Sequence, residues 1–286
     1  MKNKFLAMFV IVSALLLSQR DFAADTNNVI PDLKSLVAKV NAKLQQGKHT
    51  ENDFADELKE FNVLYAKYKD LKTEEVAQIP AMKAELYLEV LIDPEKAAAA
   101  FQEIKQDMPQ TETGKRVDAI LDSLKKPIAA EQVRHTLVEG TQFPDFDEKD
   151  LNGKSLSLAN YKGKVVLVDF WATWCAPCLR ELPNTLKVYQ KYHSQGFEVV
   201  GISLDDDQPQ LEKFIKENNI AWPQFFDGKG RDNKLALKYG VDAPPNFYLL
   251  DREGKIIGID RYPDIHGKGL RGDELEAAVA NALKKN

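Results

Sequence analysis

The chain has 286 residues, a length that allows two ordinary domains. Charged residues make up 29% of it and hydrophobic residues 44%, which is typical of a soluble globular protein. Residues 1–24 carry three basic and one acidic side chain, so their removal takes the formal net charge from −5 to −7. This negative charge argues against nucleic acid and acidic membrane surfaces as partners.

The first 24 residues have the pattern of a secretory signal peptide. A basic start is followed by the apolar run 5–17 and by small residues at Ala23 and Ala24. The run is short for a membrane span. We therefore predict a mature protein that is periplasmic or otherwise extracytoplasmic after removal of residues 1–24. An uncleaved membrane anchor is the alternative, because Asp21 or Phe22 occupies a cleavage position that favours small residues.

Residues 25–133 are predicted to form an all-α domain, because their pattern is helical and lacks strand-like runs. The stretch 84–109 resembles one degenerate tetratricopeptide repeat, but no second copy occurs at the period of about 34 residues, which favours a plain helical bundle. The segment has no catalytic constellation, and its expected role is docking, dimerisation or covering the reactive face of the next domain. The predicted helices are 31–46, 53–70, 74–92, 94–107 and 112–125.

A second domain is predicted over residues 134–286, with the passage between the domains at 127–140. It begins with a hairpin whose turn is Asp150–Lys154. The run 165–170 is short, β-branched and apolar around one acid, as in a strand buried on both faces. The elements predicted after this strand are helix 179–192, strand 197–204, helix 211–218, strand 222–226, helix 234–239, the antiparallel strands 246–250 and 255–260, and helix 274–284.

Cys175 and Cys178, the only cysteines of the chain, follow the buried strand and open a helix. Residues three apart on a first helical turn share a face, so their sulfurs can form a disulfide. The helix N-terminus favours a thiolate at Cys175, the predicted nucleophile; Cys178 lies a turn deeper, is expected to be less exposed, and resolves the mixed disulfide. Half of a zinc site is the alternative, but it would need a second cysteine pair or a spaced histidine pair, and the chain has neither.

The run 168–178, Val-Asp-Phe-Trp-Ala-Thr-Trp-Cys-Ala-Pro-Cys, resembles the thioredoxin superfamily. The run 177–183, Pro-Cys-Leu-Arg-Glu-Leu-Pro, resembles its TlpA/ResA branch of exported thiol–disulfide oxidoreductases. The resemblance spans about residues 140–286. It implies a thioredoxin-like α/β fold, a mixed central sheet flanked by helices, here preceded by an all-α domain. It also implies a redox-active Cys175–Cys178 disulfide without a metal or other cofactor, and a role in cell redox homeostasis.

The same resemblance assigns two acids to the site. Asp169 stands where thioredoxin has a buried acid, so we expect its pKa to be raised and its carboxylate to accept the proton of Cys178. The TlpA/ResA branch often has Asn at this position, and the lysine that accompanies the acid in thioredoxin is replaced by Gly201. Glu181 matches the Pro-Cys-x-x-Glu-x-Pro pattern of the branch, and proton handling and a solvent-facing position both remain open for it.

Substrate binding is predicted at Trp174, Pro244 and Pro245. The run 240–251, Gly-Val-Asp-Ala-Pro-Pro-Asn-Phe-Tyr-Leu-Leu-Asp, resembles the cis-proline loop of the superfamily, with Pro245 in the cis position. Pro244 has no N–H, so an extended substrate should lose one backbone hydrogen bond. Trp174 is expected to be partly exposed and to shield Cys175 from water.

The acidic run Asp205–Asp207 lies near the place where the branch often has an extra active-site acid. Helix capping by Asp206 or Asp207 before Pro209 is the favoured interpretation.

The leading functional hypothesis is reduction of disulfides in extracytoplasmic client proteins, with electrons from a membrane-bound thiol donor. Ala176 and Pro177 place no positive charge between the cysteines, which favours a reductase over a strong oxidant. A thiol peroxidase is one alternative, but peroxiredoxins need Pro-x-x-x-Thr-x-x-Cys, whereas Thr173 is two residues before Cys175 and the proline is missing. A copper-handling module is another, since Cu(I) prefers soft sulfur ligands, although such relatives usually have Cys-x-x-x-Cys and a distant histidine.

Overall fold

A computed structural model of the protein describes residues 28–261 and 269–284, and the predicted signal peptide lies outside these ranges. The chain divides into two compact units, Met1–Ile128 and Ala129–Asn286, whereas the sequence prediction placed the boundary after residue 133. Within the described ranges, no helix is both long and apolar enough to cross a membrane.

The described part of the first unit is built from helices whose apolar faces share one core. Phe54, Phe61, Ile79 and Met82 are among its fully buried side chains. The starts and ends of the first four predicted helices are reproduced to within a few residues, which confirms the helical character of this region. The helices are α1 (Val29–Gln45), α2 (Ala55–Tyr68), α3 (Glu74–Leu86, extended by a π-helical turn at Tyr87–Leu91), α4 (Pro94–Asp107) and α5 (Glu112–Thr136).

Helix α5 is longer than predicted. The sequence prediction ended it at residue 125, yet the helix continues to Thr136 through Pro127, which cannot donate a backbone hydrogen bond. The run 129–132, Ala-Ala-Glu-Gln, consists of strong helix formers. At the end of the helix, Arg134 donates to the carbonyl oxygen of Gly240 at 2.6 Å. The predicted passage at 127–140 is therefore mostly helix, because local propensity and this anchor outweigh one missing N–H.

The second unit contains a hairpin and a five-stranded mixed sheet of order β5-β4-β3-β6-β7. Strands β3, β4 and β5 are parallel, and β6 and β7 run antiparallel on the other side of β3. This topology confirms the predicted mixed central sheet. The strands are β1 (Glu148–Lys149), β2 (Ser155–Leu156), β3 (Val165–Trp171), β4 (Phe197–Ser203), β5 (Gln224–Phe225), β6 (Asn246–Leu250) and β7 (Ile256–Arg261); the helices are α6 (Ala176–Tyr192), α7 (Gln208–Glu217), α8 (Lys234–Lys238) and α9 (Asp273–Lys284).

Strand β3 lies at the centre of the sheet, and all seven of its residues are buried. Asp169, in the middle of the strand, pairs with Gly201 on β4 and with Phe247 on β6. Helix α6 packs against β4 and α9, and α9 also packs against β3, so these two helices cover the central strands.

Helices α6 and α7 each begin three residues earlier than predicted. In both, the residue before the helix accepts a hydrogen bond from the first turn, and a proline lies within that turn. The cap of α6 is Cys175 itself, so the cap places the first cysteine directly at the helix N-terminus.

Candidate active site

The two cysteines meet where β3 ends and α6 begins. Cys175 is the N-terminal cap of α6, and its Sγ accepts a hydrogen bond from the backbone N–H of Cys178 at 3.2 Å. The two residues form a disulfide across a Cα–Cα distance of 5.2 Å. A sulfur at this position lies at the positive end of the helix dipole and near free N–H groups, which stabilise a thiolate when the disulfide is reduced.

Both cysteines are buried to the same extent. Cys175 is 4% exposed and Cys178 is 5% exposed, so the prediction that Cys178 would be less exposed is wrong for the disulfide form. The two bonded residues belong to the same hydrophobic core, which buries both of them. Trp174 is 47% exposed, which confirms its predicted partial exposure, and the Arg231 guanidinium lies 5.8 Å from the centre of its ring.

Asp169 lies in the middle of β3 and is 7% exposed, and it forms no ion pair with any of the described residues. Its Oδ1 has no hydrogen-bond partner among the described residues. Burial, and to a smaller extent the nearby negative charge of Glu181, together raise the pKa of Asp169 to about 8. The raised pKa expected from the sequence is thus found. A carboxyl group with this pKa exchanges protons readily with a thiol, whose ordinary pKa is about 8.5.

Glu181 links helix α6 to the start of α9. Its Oε1 accepts hydrogen bonds from the Asn184 side chain at 2.6 Å and from the Gly272 backbone N–H at 2.8 Å. The side chain is half-buried, so Glu181 does not have the solvent-facing position that was one of its two predicted alternatives. It acts on the site through its charge, and its participation in proton transfer stays a prediction.

The Pro244–Pro245 peptide bond is cis, which confirms the prediction made from the loop pattern. Both prolines are buried, and β6 begins with the next residue, Asn246. Asn246 pairs with Phe170 near the end of β3 that leads to the cysteines. The register therefore brings the proline loop to the same end of the sheet as the cysteines, as a substrate-binding role requires.

Asp205 is a site residue whose contacts the sequence did not reveal. It is 3% exposed, and its carboxylate accepts hydrogen bonds from the Thr173 N–H at 3.1 Å, the Thr173 hydroxyl at 2.6 Å and the Ser203 hydroxyl at 2.7 Å. Asp207 caps α7 by accepting from the Gln210 N–H, which confirms the predicted helix cap. Asp205 instead fixes the backbone two residues before Cys175. The available signal was its position after β4, because the carboxyl ends of parallel strands meet at one edge of a sheet.

Comparison with known proteins assigns this arrangement to a family. The Redoxin family model matches residues 138–278. The thiol–disulfide oxidoreductase ResA of Bacillus thuringiensis is 31% identical over 146 residues, which cover 51% of this chain and 77% of the relative. ResA of Bacillus subtilis is 32% identical over 126 residues, covering 44% of this chain and 69% of the relative. This chain belongs to the TlpA/ResA-like branch of the thioredoxin superfamily.

The TlpA/ResA-like chain is accordingly a thiol–disulfide oxidoreductase. Among solved structures, the thioredoxin domain of a thiol–disulfide oxidoreductase from Bacteroides vulgatus is 34% identical, with a TM-score of 0.44, and covers 51% of this chain and 97% of that chain. A thiol:disulfide interchange protein from Bacteroides sp. is also 34% identical, with a TM-score of 0.44, and covers 52% of this chain and 91% of that one. The match to the Redoxin model lies within the second unit.

The buried carboxyl should make stability depend on pH. Between about pH 4 and about pH 8, an unfolded chain releases the Asp169 proton while the folded protein keeps it, so the free energy of unfolding falls as pH rises. Asp169→Asn removes this penalty. We expect the disulfide form of this variant to be more stable than the wild type by a few kcal/mol at about pH 9, and the difference to shrink towards about pH 4. Urea unfolding across this range measures it, and a difference that does not change with pH would contradict the assignment.

The contact between Asp205 and Thr173 should appear as a coupling energy. Thr173 and Asp205 belong to one hydrogen-bond network. In a double-mutant cycle of Thr173→Val and Asp205→Asn, we therefore expect the effects of the two substitutions on the free energy of unfolding to be non-additive by about 1 kcal/mol or more. The control cycle pairs Thr173→Val with Asp150→Asn, because Asp150 instead accepts hydrogen bonds from the Asn152 and Lys154 N–H groups in the hairpin turn. Equal coupling energies in the two cycles would show that Asp205 does not specifically stabilise the loop before Cys175.

Proposed function

We propose that the protein reduces disulfide bonds of other extracytoplasmic proteins. The observation that carries the proposal is Cys175 at the N-terminus of α6, where its sulfur accepts the Cys178 N–H. This position stabilises a thiolate, the form of cysteine that attacks disulfides. Ala176 and Pro177, the residues between the cysteines, add no positive charge that would favour the dithiol form and make the site a strong oxidant.

The first half of the proposed reaction is attack on the client. The Cys175 thiolate of the reduced protein forms a bond to one sulfur of the client disulfide, and the other client sulfur leaves as a thiolate that takes a proton from water. The product is a mixed disulfide between Cys175 and the client. Cys178 remains a thiol one helical turn away, on the same face of α6.

The second half releases the client. Cys178 gives its proton to the Asp169 carboxylate, and the Cys178 sulfur attacks Cys175 Sγ, which breaks the mixed disulfide and frees the second client thiolate. Two electrons have then moved from the protein dithiol to the client, and the protein holds the Cys175–Cys178 disulfide described above. The similar pKa values of Asp169 and a thiol support this transfer, because neither group holds the proton much more strongly.

Client binding is proposed beside the exposed ring of Trp174 and at the backbone of the loop that contains the buried residues Pro244 and Pro245. Trp174 offers an exposed aromatic face next to Cys175. Because Pro244 has no N–H, its carbonyl group can accept a hydrogen bond from an extended client segment but cannot return one. The client should therefore be held with fewer backbone hydrogen bonds than a non-proline residue at this position would allow.

The location and electron supply follow from the sequence pattern and the chemistry. Residues 1–24 have the features of a signal peptide, and we propose that the mature protein works outside the cytoplasm. Such a space is oxidising, so a reductase needs an outside source of electrons. A membrane-bound thiol donor that reduces the Cys175–Cys178 disulfide would meet this need.

Trapping experiments test the assigned roles of the cysteines. Reduced Cys178→Ser should form a stable mixed disulfide with a protein disulfide such as that of insulin, because no thiol remains to release it. Cys175→Ser should trap little, since it lacks the thiolate at the helix N-terminus. Mass spectrometry of the adducts identifies the bonded cysteine. The wild type should reduce insulin catalytically; turnover of peroxide without insulin reduction would favour a peroxidase, and tight Cu(I) binding without turnover would favour a copper module.

A further inference from the structure

The sheet has a gap beside Asp169 that a distant side chain fills. Gly201 pairs with Asp169 and has no side chain to cover the strand there. Gln224, which pairs with Gly201 from β5, places its carboxamide in this space. A Cβ atom at Gly201 would lie only 2.0 Å from Gln224 Oε1 and 2.5 Å from Gln224 Nε2. Glycine at position 201 is therefore what allows the amide of Gln224 to extend across β4.

The amide lies on the face of the sheet to which Asp169 points. Laterally paired residues of neighbouring strands present their side chains to the same face, and so do residues two apart on one strand. Gln224 Oε1 accepts a hydrogen bond from Trp171 Nε1 at 2.8 Å, and Trp171 is two residues after Asp169 on β3. In the lateral row Gln224, Gly201, Asp169, the side chain of Gln224 therefore extends from the edge strand β5 across β4 towards the central strand β3.

In this row, the amide nitrogen of Gln224 is a hydrogen-bond donor with only a long contact, and the Asp169 carboxyl has an acceptor oxygen without a partner among the described residues. The oxygen of the Gln224 amide is engaged by Trp171, whereas its nitrogen has only a 3.5 Å contact with the Trp222 carbonyl oxygen. Asp169 Oδ1 is buried without a partner among the described residues. Neighbouring strands are about 4.8 Å apart, so the two groups are within reach of a direct or water-mediated hydrogen bond.

We propose that Gln224 is a positioning residue for Asp169, whose amide N–H donates to the Asp169 carboxylate, directly or through one water molecule, when that carboxylate forms. The functional part of this inference rests on the proposed role of Asp169 as the acceptor of the Cys178 proton. The donation itself is a property of the folded protein and does not depend on turnover.

Within the described ranges, few other charged groups face Asp169. Helix α6 presents Glu181, whose charge opposes ionisation of Asp169. Asp260 on β7 lies in the same lateral row, beyond Phe247, and is paired with Arg271. Helix α9, packed against β3, contributes the buried apolar side chains Leu275 and Val279. Against this background, the neutral amide of Gln224 is placed to stabilise the charged form without adding a charge of its own.

Loss of the donor should make Asp169 a weaker acid. A hydrogen bond to a charged group in a buried site is strong enough to change a dissociation constant by about tenfold. The fraction of Asp169 that is ionised at neutral pH would then fall by about the same factor. The pH dependence of client release should move towards higher pH by about one unit, since release needs the carboxylate form.

The test is a carboxyl ¹³C NMR titration of the full chain in its disulfide form, with Asp169→Asn used to assign the signal. Gln224→Met removes the amide at similar length. Gly201→Ala keeps Gln224 but pushes its flexible end out of the gap, since the new Cβ would occupy that space. We expect both variants to lower the acid dissociation constant of Asp169 by about tenfold. If Gln224→Met does not fold, Gly201→Ala decides by the same criterion.

The matched control is Trp171→Phe, which removes the hydrogen bond from Trp171 to the Gln224 oxygen and keeps both Gln224 and Gly201. It should change the Asp169 dissociation constant by less than about twofold. An unchanged constant in Gln224→Met, or an equal change in Trp171→Phe, would overturn the inference. Because the titration uses the disulfide form, a failed reduction assay would count against the proposed function alone.

Discussion

The burial of one carboxyl group in the central strand is the constraint on which the site depends. Asp169 lies in the middle of β3, where all residues of the strand are buried, and it is 7% exposed. Its pKa is therefore raised to near the ordinary pKa of a thiol, and the proposed transfer of the Cys178 proton rests on this match. A carboxyl at the edge of the sheet would be ionised at neutral pH and would offer no such match.

The surrounding structure holds the reacting groups around this carboxyl. The turn between β3 and α6 carries Cys175, and Asp205 fixes that turn through the backbone and hydroxyl of Thr173. Glu181 ties the cysteine helix to α9 and adds a negative charge near Asp169. Glu181 thus combines a structural role with an electrostatic one, whereas the role of Asp205 is structural.

The sequence predicted the elements that depend on local pattern. The buried strand β3 and the cis-proline loop follow from β-branched runs and from motif spacing, and the structure has both. Where the prediction was wrong, a tertiary contact outweighed a local rule. Helix α5 continues through Pro127 because its end is anchored by Arg134, and Cys175 is as buried as Cys178 because both belong to the same hydrophobic core.

Two contacts of the site were beyond sequence reasoning. Asp205 reaches Thr173 across 32 positions, and Gln224 reaches Trp171 across 53. Both depend on which strands are neighbours and in what register they pair. That register is set by the packing of the whole sheet, so neither residue carries a local signal for its partner. The gap at Gly201 is visible in the sequence as a glycine, but the side chain that fills it is not.

The most direct test of the account separates the two halves of the reaction. Rapid mixing of reduced wild type and reduced Asp169→Asn with a protein disulfide, followed by acid quenching, measures the formation and the decay of the mixed disulfide. We expect formation to change by less than about threefold, because Cys175 attacks as a thiolate already, and decay to slow by about 10²-fold or more, because Cys178 has lost its proton acceptor. Decay at the wild-type rate in Asp169→Asn would contradict the central role of this carboxyl.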